Sequence, residues 1–420
     1  VAQVWQWSSG WRSQMAQAAM ASAEELTPRP SCCSSPACVA LAEALAARCY
    51  HVNVPWALPK CLNARGLRAG RPGELALLAA YRPPRGPPSR RVEPGGVDPG
   101  RRGILEMCRT GAAACLSDKR LLAGFLDAAG AGAWAPATAM SPSDLEDGGA
   151  LASSGSERAL WFLKHARVDN NMGVTVHLGR EACRAAWLAL PEAERDNYIA
   201  QREVPGVLLD AQDRKLTLRV YVLCVTSVAV AACASHSKMQ ETAEQAAAWA
   251  LIRREFVCRS HPLPYDAGDP DPARHVHSAI GTFGSVDCTL SSDWAPRERL
   301  WPEVRRMLEA CFAPFLETFA RSERPEGNAK VVSFTLLGAD VLVDANMRPW
   351  LIEVNEMPAL APVLKNPAAT AARVAVVDDV LAATLDPILA AGCLRGAGPP
   401  TAGTDGEYGA PASSAWEPLA

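Results

Sequence analysis

Residues 333–360, SFTLLGADVLVDANMRPWLIEVNEMPAL, decide the reading of this chain. Two apolar runs flank Asp344-Ala345-Asn346, residue types that favour turns, so the stretch reads as two strands joined by a short turn. Asp340 falls on the first strand, Glu353 and Asn355 on the second. Side chains alternate faces along a strand, so Glu353 and Asn355 point the same way, and an antiparallel partner can set Asp340 opposite them. A Glu or Asn in a strand is ordinarily a solvated edge residue. Here Glu353 follows Trp350-Leu351-Ile352, and only Val354 separates it from Asn355. Charge inside such an apolar run is costly unless it is paired or holds a metal. Two carboxylates and an amide form a hard oxygen site suited to Mg²⁺ carrying ATP phosphates, which points to an ATP-using enzyme.

The 420 residues suffice for one large domain or two smaller ones, and a hydrophobic content of 49% is ample for a core. A net charge of −3 gives no global signal for nucleic acid, and no such partner is expected. The 14 cysteines show no C-x-x-C pair and no Cys/His zinc spacing, so they read as reduced thiols of an intracellular protein. Cys32, Cys33 and Cys38 are the one cluster that departs from this pattern, and nothing supports a metal there. The start, VAQVWQWSSGWRSQ, has no clean apolar stretch of a secretory signal, and the missing initiator Met suggests a fragment or an uncertain gene model. The longest apolar run, Val220 to Ala234, is short of the ~20 residues of a membrane helix. It reads as buried strand, and no membrane partner is expected.

Residues 1–60 are rich in Ala, Ser and Cys, with patchy helical periodicity over Cys38 to Tyr50. Residues 61–102 are rich in Gly, Pro and Arg and look like a flexible linker. Its arginines, Arg65, Arg68, Arg71, Arg82, Arg85, Arg90, Arg91, Arg101 and Arg102, outweigh Glu74, Glu93 and Asp98. It is either a solvated tether or an electrostatic handle for an acidic partner. From Gly103 the texture is globular. The pattern predicts a helix over 117–129 capped by Ser117, a strand-like 134–141, and strands over 160–164, 174–177 and 198–204. It further predicts a helix over 180–190, strands over 216–234, a helix over 238–256, and a mostly irregular stretch over 258–298. A helix over 299–320 broken near Pro314 and another over 367–390 follow, and the Gly/Ala/Pro/Ser-rich 391–420 reads as a disordered tail.

Lys164 closes the apolar strand LWFLK and precedes the loop HARVDNNMGV with Gly173 in it. A lysine there is placed to neutralise phosphates, and the loop to fold over a nucleotide; in isolation a surface lysine is the commoner outcome. The phosphate-binding pattern G-x-x-x-x-G-K-[ST] is absent. Tyr198 to Val204 offers strand backbone to an adenine edge. In KLTLRVYVL, Lys215, Thr217 and Arg219 share one face. That face either stabilises charge on a transferred phosphoryl group or supplies a pair of rim charges at strand ends.

A lysine on a strand, then Lys215-x-x-x-Arg219-Val-Tyr-Val, then Asp340 and the ending Glu353-Val354-Asn355-Glu356-Met357-Pro358-Ala359-Leu360, resembles the tubulin–tyrosine ligase-like family of ATP-grasp enzymes. The likeness runs from about Leu116 to Leu360, and Asp118-Lys119-Arg120-Leu121 and Trp134 to Thr138 resemble further elements of that family. The resemblance implies an α/β (α+β) ATP-grasp fold, two α+β subdomains gripping ATP, over 103–390. A flexible extension over 1–102 precedes it and the tail 391–420 follows. It also implies a chemistry. The γ-phosphoryl of ATP passes to a protein carboxylate, and a free amino acid attacks the acyl phosphate, forming an amide and releasing phosphate. Carried onto this chain, Asp340, Glu353 and Asn355 bind Mg²⁺, Lys164 and Gly173 hold the phosphates, and Gln201, Arg202 and Glu203 lie at the adenine hinge. Lys215 is close to the nucleotide, and Arg219 faces the γ-phosphate beside Glu353.

The chain departs from the family pattern at named places. Asn171 stands at the first loop glycine, His165 at the proline after the lysine, and Thr217 at an aspartate. His275-Val276-His277-Ser278 stands for H-L-T-N, and a downstream arginine that follows a Glu-Gly pair has no clear equivalent, Lys238 being the nearest candidate. The wording around Gln201-Arg202 and Leu218-Arg219-Val220-Tyr221-Val222 resembles the polyglutamylase and polyglycylase branch. The leading expectation is therefore a ligase adding glutamate or glycine, rather than tyrosine, to the acidic tails of tubulin, in the cytoplasm at the cytoskeleton, with the cilium or basal body as a further location. The alternatives are an ATP-grasp ligase on a non-tubulin or small-molecule acceptor and a catalytically silent ATP- or tubulin-binding relative.

Overall fold

A computed structural model describes residues 49–52, 61, 68–69, 78–80, 105–107, 114–147, 149, 151, 158–168, 173–227, 247–276, 288–322, 332–356, 358, 360, 367–384 and 416–419. All lie within the unit Ser34–Ala420. Strands β1 (Cys49–Val52), β2 (Arg68–Ala69), β3 (Leu78–Ala80) and β4 (Leu105–Met107) precede helices α1 (Ala114–Ser117) and α2 (Lys119–Ala128). Then come β5 (Thr138–Ala139), β6 (Leu160–His165), β7 (Val174–Leu178), α3 (Arg180–Leu188), α4 (Glu192–Arg195) and β8 (Tyr198–Arg202). The second half holds β9 (Leu216–Ser227), β10 (Ala247–Arg253), β11 (Val257–Ser260), α5 (Pro272–His275), β12 (Cys288–Leu290) and α6 (Arg297–Ser322). Last are β13 (Val332–Val343), β14 (Pro349–Glu356), α7 (Pro367–Thr384) and β15 (Trp416–Leu419).

Two sheets organise these elements. The small one runs β5-β8-β6-β7, all neighbours antiparallel. Its Trp161 and Leu163, on alternate positions, pack with Ala200 against Cys183 and Trp187 of α3. Phe162 and Lys164 occupy the opposite face. The large sheet has 11 strands, with β9 and β13 paired along their whole length at its centre. One edge of β9 is shared by β10 and β11, and the far edge of β13 by β14 and β4. Leu218, Val220, Val222 and Cys224 of β9 alternate onto one face, beside Leu337, Ala339, Val341 and Val343 of β13, and pack with α6 into the main core. The other face of the same strands therefore receives Lys215, Thr217, Arg219 and Asp340.

The expected hairpin is present, and Asp344 makes its turn. Asp344 Oδ1 accepts the N–H of Asn346 (2.9 Å) and Arg348 (3.0 Å), Oδ2 accepts Trp350 Nε1 (3.1 Å), and Met347 takes up the left-handed backbone at φ +66°. A bulge follows. Asp340 pairs with Glu353 but Val341 pairs with Leu351, so Ile352 is an extra residue. It lets Leu351 and Val354 both reach the core while Glu353 and Asn355 keep the opposite face.

Several sequence expectations are corrected. Ser117 ends α1, and the cap of α2 is Asp118, whose Oδ1 accepts from Arg120 N (2.9 Å) and Leu121 N (3.2 Å). The strand near 134–141 shrinks to Thr138–Ala139 behind a 3₁₀ turn at Gly132–Trp134. Residues 247–253, expected as helix, form β10, because pairing on both edges, to β9 and β15, overrides the helical propensity of alanine. Val257–Ser260 and Cys288–Leu290, expected as irregular, are strands. Helix α6 continues through Pro302 and Pro314. Its buried stripe, including Leu308, Cys311, Phe312, Phe315 and Phe319, outweighs the amide hydrogens the prolines lack. Arg68–Ala69 and Leu78–Ala80, within the expected flexible linker, and Trp416–Leu419, within the expected disordered tail, are paired strands. Cys32, Cys33, Cys38, Asn171, Lys238, His277 and Ser278 lie outside the described residues.

Phe315 is fully buried and stacks on Phe319 at a centroid distance of 5.5 Å. Phe315→Ala is expected to destabilise the fold by about 3–5 kcal/mol, read as a lowered urea midpoint. An unchanged midpoint would show that the prolines already loosen α6 at this point.

Candidate functional site

The free faces of the two sheets meet at a cleft of about 740 Å³. The small sheet and the segment after it contribute Phe162, Lys164, Gln201, Arg202, Glu203 and Val204. The large sheet contributes Lys215, Thr217, Asp340, Leu342, Ile352 and Glu353, and Lys119, His261 and His275 complete the lining. Strand period explains the convergence. Phe162 and Lys164 share one side of β6, and Lys215, Thr217 and Arg219 one side of the chain entering β9.

Asp340 is the centre of the large-sheet wall. It is 2% exposed and accepts Arg219 Nε (2.5 Å), Arg219 Nη2 (2.7 Å) and Arg259 Nη2 (2.5 Å). Burial pushes its carboxyl up, but Arg219 and Arg259 outweigh this and hold it below the usual carboxylate range. Asn355 Nδ2 stands 3.2 Å from both Asp340 Oδ2 and Glu353 Oε1, and Lys119 Nζ lies 3.5 Å from Glu353 Oε2. The two carboxylates and the amide thus converge on one point. Rotation of the Asn355 amide exchanges its nitrogen for its oxygen, so the side chain can add one oxygen to those of the two carboxylates. Among the described residues no group of three or more His, Cys, Asp or Glu could hold a metal; two carboxylates and an amide oxygen are the donor chemistry of a hard cation such as Mg²⁺.

On the other wall Lys164 Nζ donates to Gln201 Oε1 (2.6 Å). Burial pulls the Lys164 ammonium down to about 8, against Glu353, which raises it. Lys215 is 1% exposed, donates to Glu203 Oε1 (2.5 Å) and lies over the Phe162 and Tyr265 rings. Burial lowers its pKa and Glu203 works against that. Tyr265 donates its hydroxyl to Glu203 Oε2 (3.1 Å). His275 Nε2 lies 2.6 Å from the Asp269 carbonyl, so that nitrogen carries the proton and Nδ1 presents a lone pair toward Glu203, 3.9 Å away. Around the cleft Lys119, Lys164, Lys215, Arg219 and Arg259 outnumber Glu203, Asp340 and Glu353, a balance that favours a polyanion.

Most expected site residues meet here; Arg219 and Asn355 do not line the cleft themselves and reach it through Asp340, and two further differences stand out. Gly173 adopts φ +75° and its carbonyl accepts His165 N–H (3.2 Å), but it does not line the cleft, and residues 169–172 lie outside the described part. At the expected adenine hinge, Arg202 N–H and Glu203 N–H already donate to Ala137 O (2.8 Å) and Leu160 O (2.9 Å). Those donors are engaged in holding the strand, leaving side chains and carbonyls to meet a base.

Sequence reasoning missed Arg259, Lys119, Tyr265, His261 and Gly338. Arg259 follows Glu255 by four residues in a stretch read as irregular, and its partner Asp340 lies 81 residues further on. Gly338 allows Arg219 to lie flat across β13, since a Cβ there would stand 2.9 Å from Arg219 Cδ and 2.8 Å from Pro358 Cβ. Gly338→Ala is expected to displace Arg219 and destabilise the chain by about 1–3 kcal/mol, read by thermal unfolding. Wild-type stability would show that both neighbours yield without strain.

Residues 289–390 match the family model described as the Tubulin-tyrosine ligase family, and β13 and β14 lie inside that match. Tubulin polyglutamylase TTLL11 of Mus musculus is 32% identical over 82 residues, which are 19% of this chain and 11% of that protein. Tubulin polyglutamylase TTLL11 of Homo sapiens matches at 32% over 82 residues, 12% of its length. The chain therefore matches only about a tenth of the length of these curated relatives. Among the described residues no helix is long and apolar enough to cross a membrane. The family match thus falls on the segment whose hairpin sets Asp340 beside Glu353, and over that segment the chain is similar to the tubulin-tyrosine ligase family.

Proposed function

We propose that this chain is an ATP-dependent carboxylate–amine ligase that adds an amino acid, glutamate or glycine rather than tyrosine, to the carboxylates of tubulin tails. The observation that carries the reading is the convergence of Lys164 and Lys215 with Asp340 and Glu353 on one cleft between two sheets, with Arg219 and Asn355 hydrogen-bonded to Asp340 beside it. Buried charged groups with shifted pKa values gathered in a cleft mark a functional-site candidate. The likeness to polyglutamylases favours glutamate as the added amino acid.

In this reading ATP is a substrate. The γ-phosphoryl passes to an acceptor carboxylate, ADP leaves, and the amine of a free amino acid displaces phosphate from the acyl group to form an amide. Lys164 and Lys215 hold phosphate oxygens, with Glu203 fixing the Lys215 ammonium. Arg219 lies where charge accumulates on the transferred group, and Arg259 and Asp340 keep its guanidinium oriented. Gln201 fixes Lys164, and Arg202 lines the same cleft. Mg²⁺ would be held by Asp340, Glu353 and Asn355 and would supply neutralisation of phosphate charge. Acidic tubulin tails, free amino acid, and a cytoskeletal or ciliary location belong to the same reading.

One observation favours a second reading, a nucleotide-binding relative without turnover. Thr217 stands at the family's aspartate, and its hydroxyl is engaged with His261 Nε2 at 3.1 Å. Incorporation of labelled glutamate, glycine or tyrosine into purified tubulin with Mg-ATP separates the two. The ligase reading expects incorporation of one amino acid and a loss on the order of 10² or more in Glu353→Gln. Unchanged turnover in that variant would end the metal assignment, and no incorporation with ATP still bound would favour the silent relative.

Lys164 gives a pH test. Its ammonium loses its proton as pH rises through about 8, whereas a bound phosphate favours the charged form. ATP binding near that pH is expected to take up a proton, seen by calorimetry in buffers of different ionisation enthalpy, and to weaken at higher pH. Lys164→Met should abolish the uptake; persistence of the uptake would assign it elsewhere.

A further inference from the structure

The chain enters the small sheet at Thr138 and leaves it at Arg202, and both crossings are fastened to one place on the large sheet, the turn between β13 and β14. On the way out, Leu208 N–H donates to Val343 O (2.7 Å) and Ala345 N–H to Gly206 O (2.7 Å). On the way in, the fastening is the side chain of Arg348. Its Nη2 donates to the Ala133 carbonyl, and its guanidinium lies over the rings of Trp134 (5.6 Å to the centroid) and Trp350 (4.5 Å). Asp344 holds Arg348 and Trp350 on the turn, accepting Arg348 N–H at 3.0 Å and Trp350 Nε1 at 3.1 Å. Beyond Trp134 the chain runs straight into the small-sheet wall. Ala137 O accepts Arg202 N–H (2.8 Å), Gln201 Nε2 donates to Thr138 Oγ1 (3.4 Å), and Gln201 Oε1 accepts Lys164 Nζ (2.6 Å).

We propose that Arg348 is a positioning residue for the nucleotide: from outside the cleft it fixes the small-sheet wall, and Lys164 with it, opposite Asp340 and Glu353. Arg348 is exposed and does not line the cleft, so it acts only through the residues it holds. A guanidinium suits the task, since its flat face stacks on indoles while its edge donates to a carbonyl. A polyphosphate carrying a cation touches both walls at once, so its affinity depends on their spacing as well as on their charges. The far end of the small sheet has a separate support from α2. Lys119 N–H donates to Ala166 O (3.0 Å), and Arg120 Nη1 donates to the carbonyls of Asp196 (3.3 Å) and Tyr198 (3.4 Å). Loss of Arg348 therefore loosens the wall without releasing it. The effect on affinity rests on the reading of the cleft as an ATP site; the fastening of the wall does not.

The test is calorimetric titration of Mg-ATP into the full chain, Arg348→Ala, Lys164→Met and the double variant. Arg348→Ala is expected to bind about tenfold more weakly than wild type, and the double variant no more weakly than Lys164→Met alone, because the arginine acts through the lysine's wall. Wild-type affinity in Arg348→Ala, or losses that multiply in the double variant, overturns the proposal. Absence of ATP binding by the wild type would instead end the ATP reading of the cleft. In that case, or if Lys164→Met binds too weakly to measure, hydrogen exchange of wild type and Arg348→Ala decides. Faster exchange in the variant at the amides of Arg202, Leu208 and Ala345, with those of β9 and β13 unchanged, supports the fastening. Unchanged exchange throughout overturns it, as does equal acceleration everywhere or a variant that unfolds outright, since either makes Arg348 a residue of general stability.

Discussion

The buried ion cluster of Asp340 with Arg219 and Arg259 is the constraint on which the rest of the site depends. The full-length pairing of β9 and β13 sets Arg219 opposite Asp340 in register, and β11 brings Arg259 from the next strand. Three strands are thereby locked to a single carboxylate. Removing it would leave two guanidinium groups uncompensated, a loss on the order of 3–5 kcal/mol. Gly338 makes room for the cluster, and the bulge at Ile352 turns Glu353 toward it while Leu351 remains in the core.

Around this cluster the cleft is built from opposites. The large-sheet wall holds carboxylates clamped by arginines, and the small-sheet wall holds a lysine fixed by an amide over an aromatic ring. Lys215 bridges the two, drawn to Glu203 on one side and stacked on Phe162 and Tyr265 on the other. Burial lowers the pKa of both lysines and so poises them to gain from an incoming anion. A polyphosphate bearing a divalent cation matches this pattern, since it offers negative charge to the lysines and positive charge to the carboxylates.

What was legible in the sequence is what is local. The hairpin announced itself by two apolar runs about Asp344-Ala345-Asn346, and strict alternation placed Glu353 and Asn355 together. Lys164 and Arg219 were found because a cation interrupts an apolar run. Arg259 interrupts one too, in Val257-Cys258-Arg259, but that stretch read as irregular. The alanines of 247–253 read as helix because strand pairing with β9 and Trp416–Leu419 is long-range and leaves no local trace. The bulge and the need for glycine at 338 likewise depend on partners distant in sequence.

The central claim is that Asp340, Glu353 and Asn355 face a divalent cation on a nucleotide held by the lysines across the cleft. Electron paramagnetic resonance of Mn²⁺ with ATP tests it most directly. Corrected for the Mn²⁺ that ATP itself chelates, the wild-type chain should take Mn²⁺ into an immobilised, protein-bound spectrum only when ATP is present, and Glu353→Gln should leave ATP binding measurable but lose that uptake. Equal Mn²⁺ uptake by the two chains would place the cation elsewhere and contradict the account.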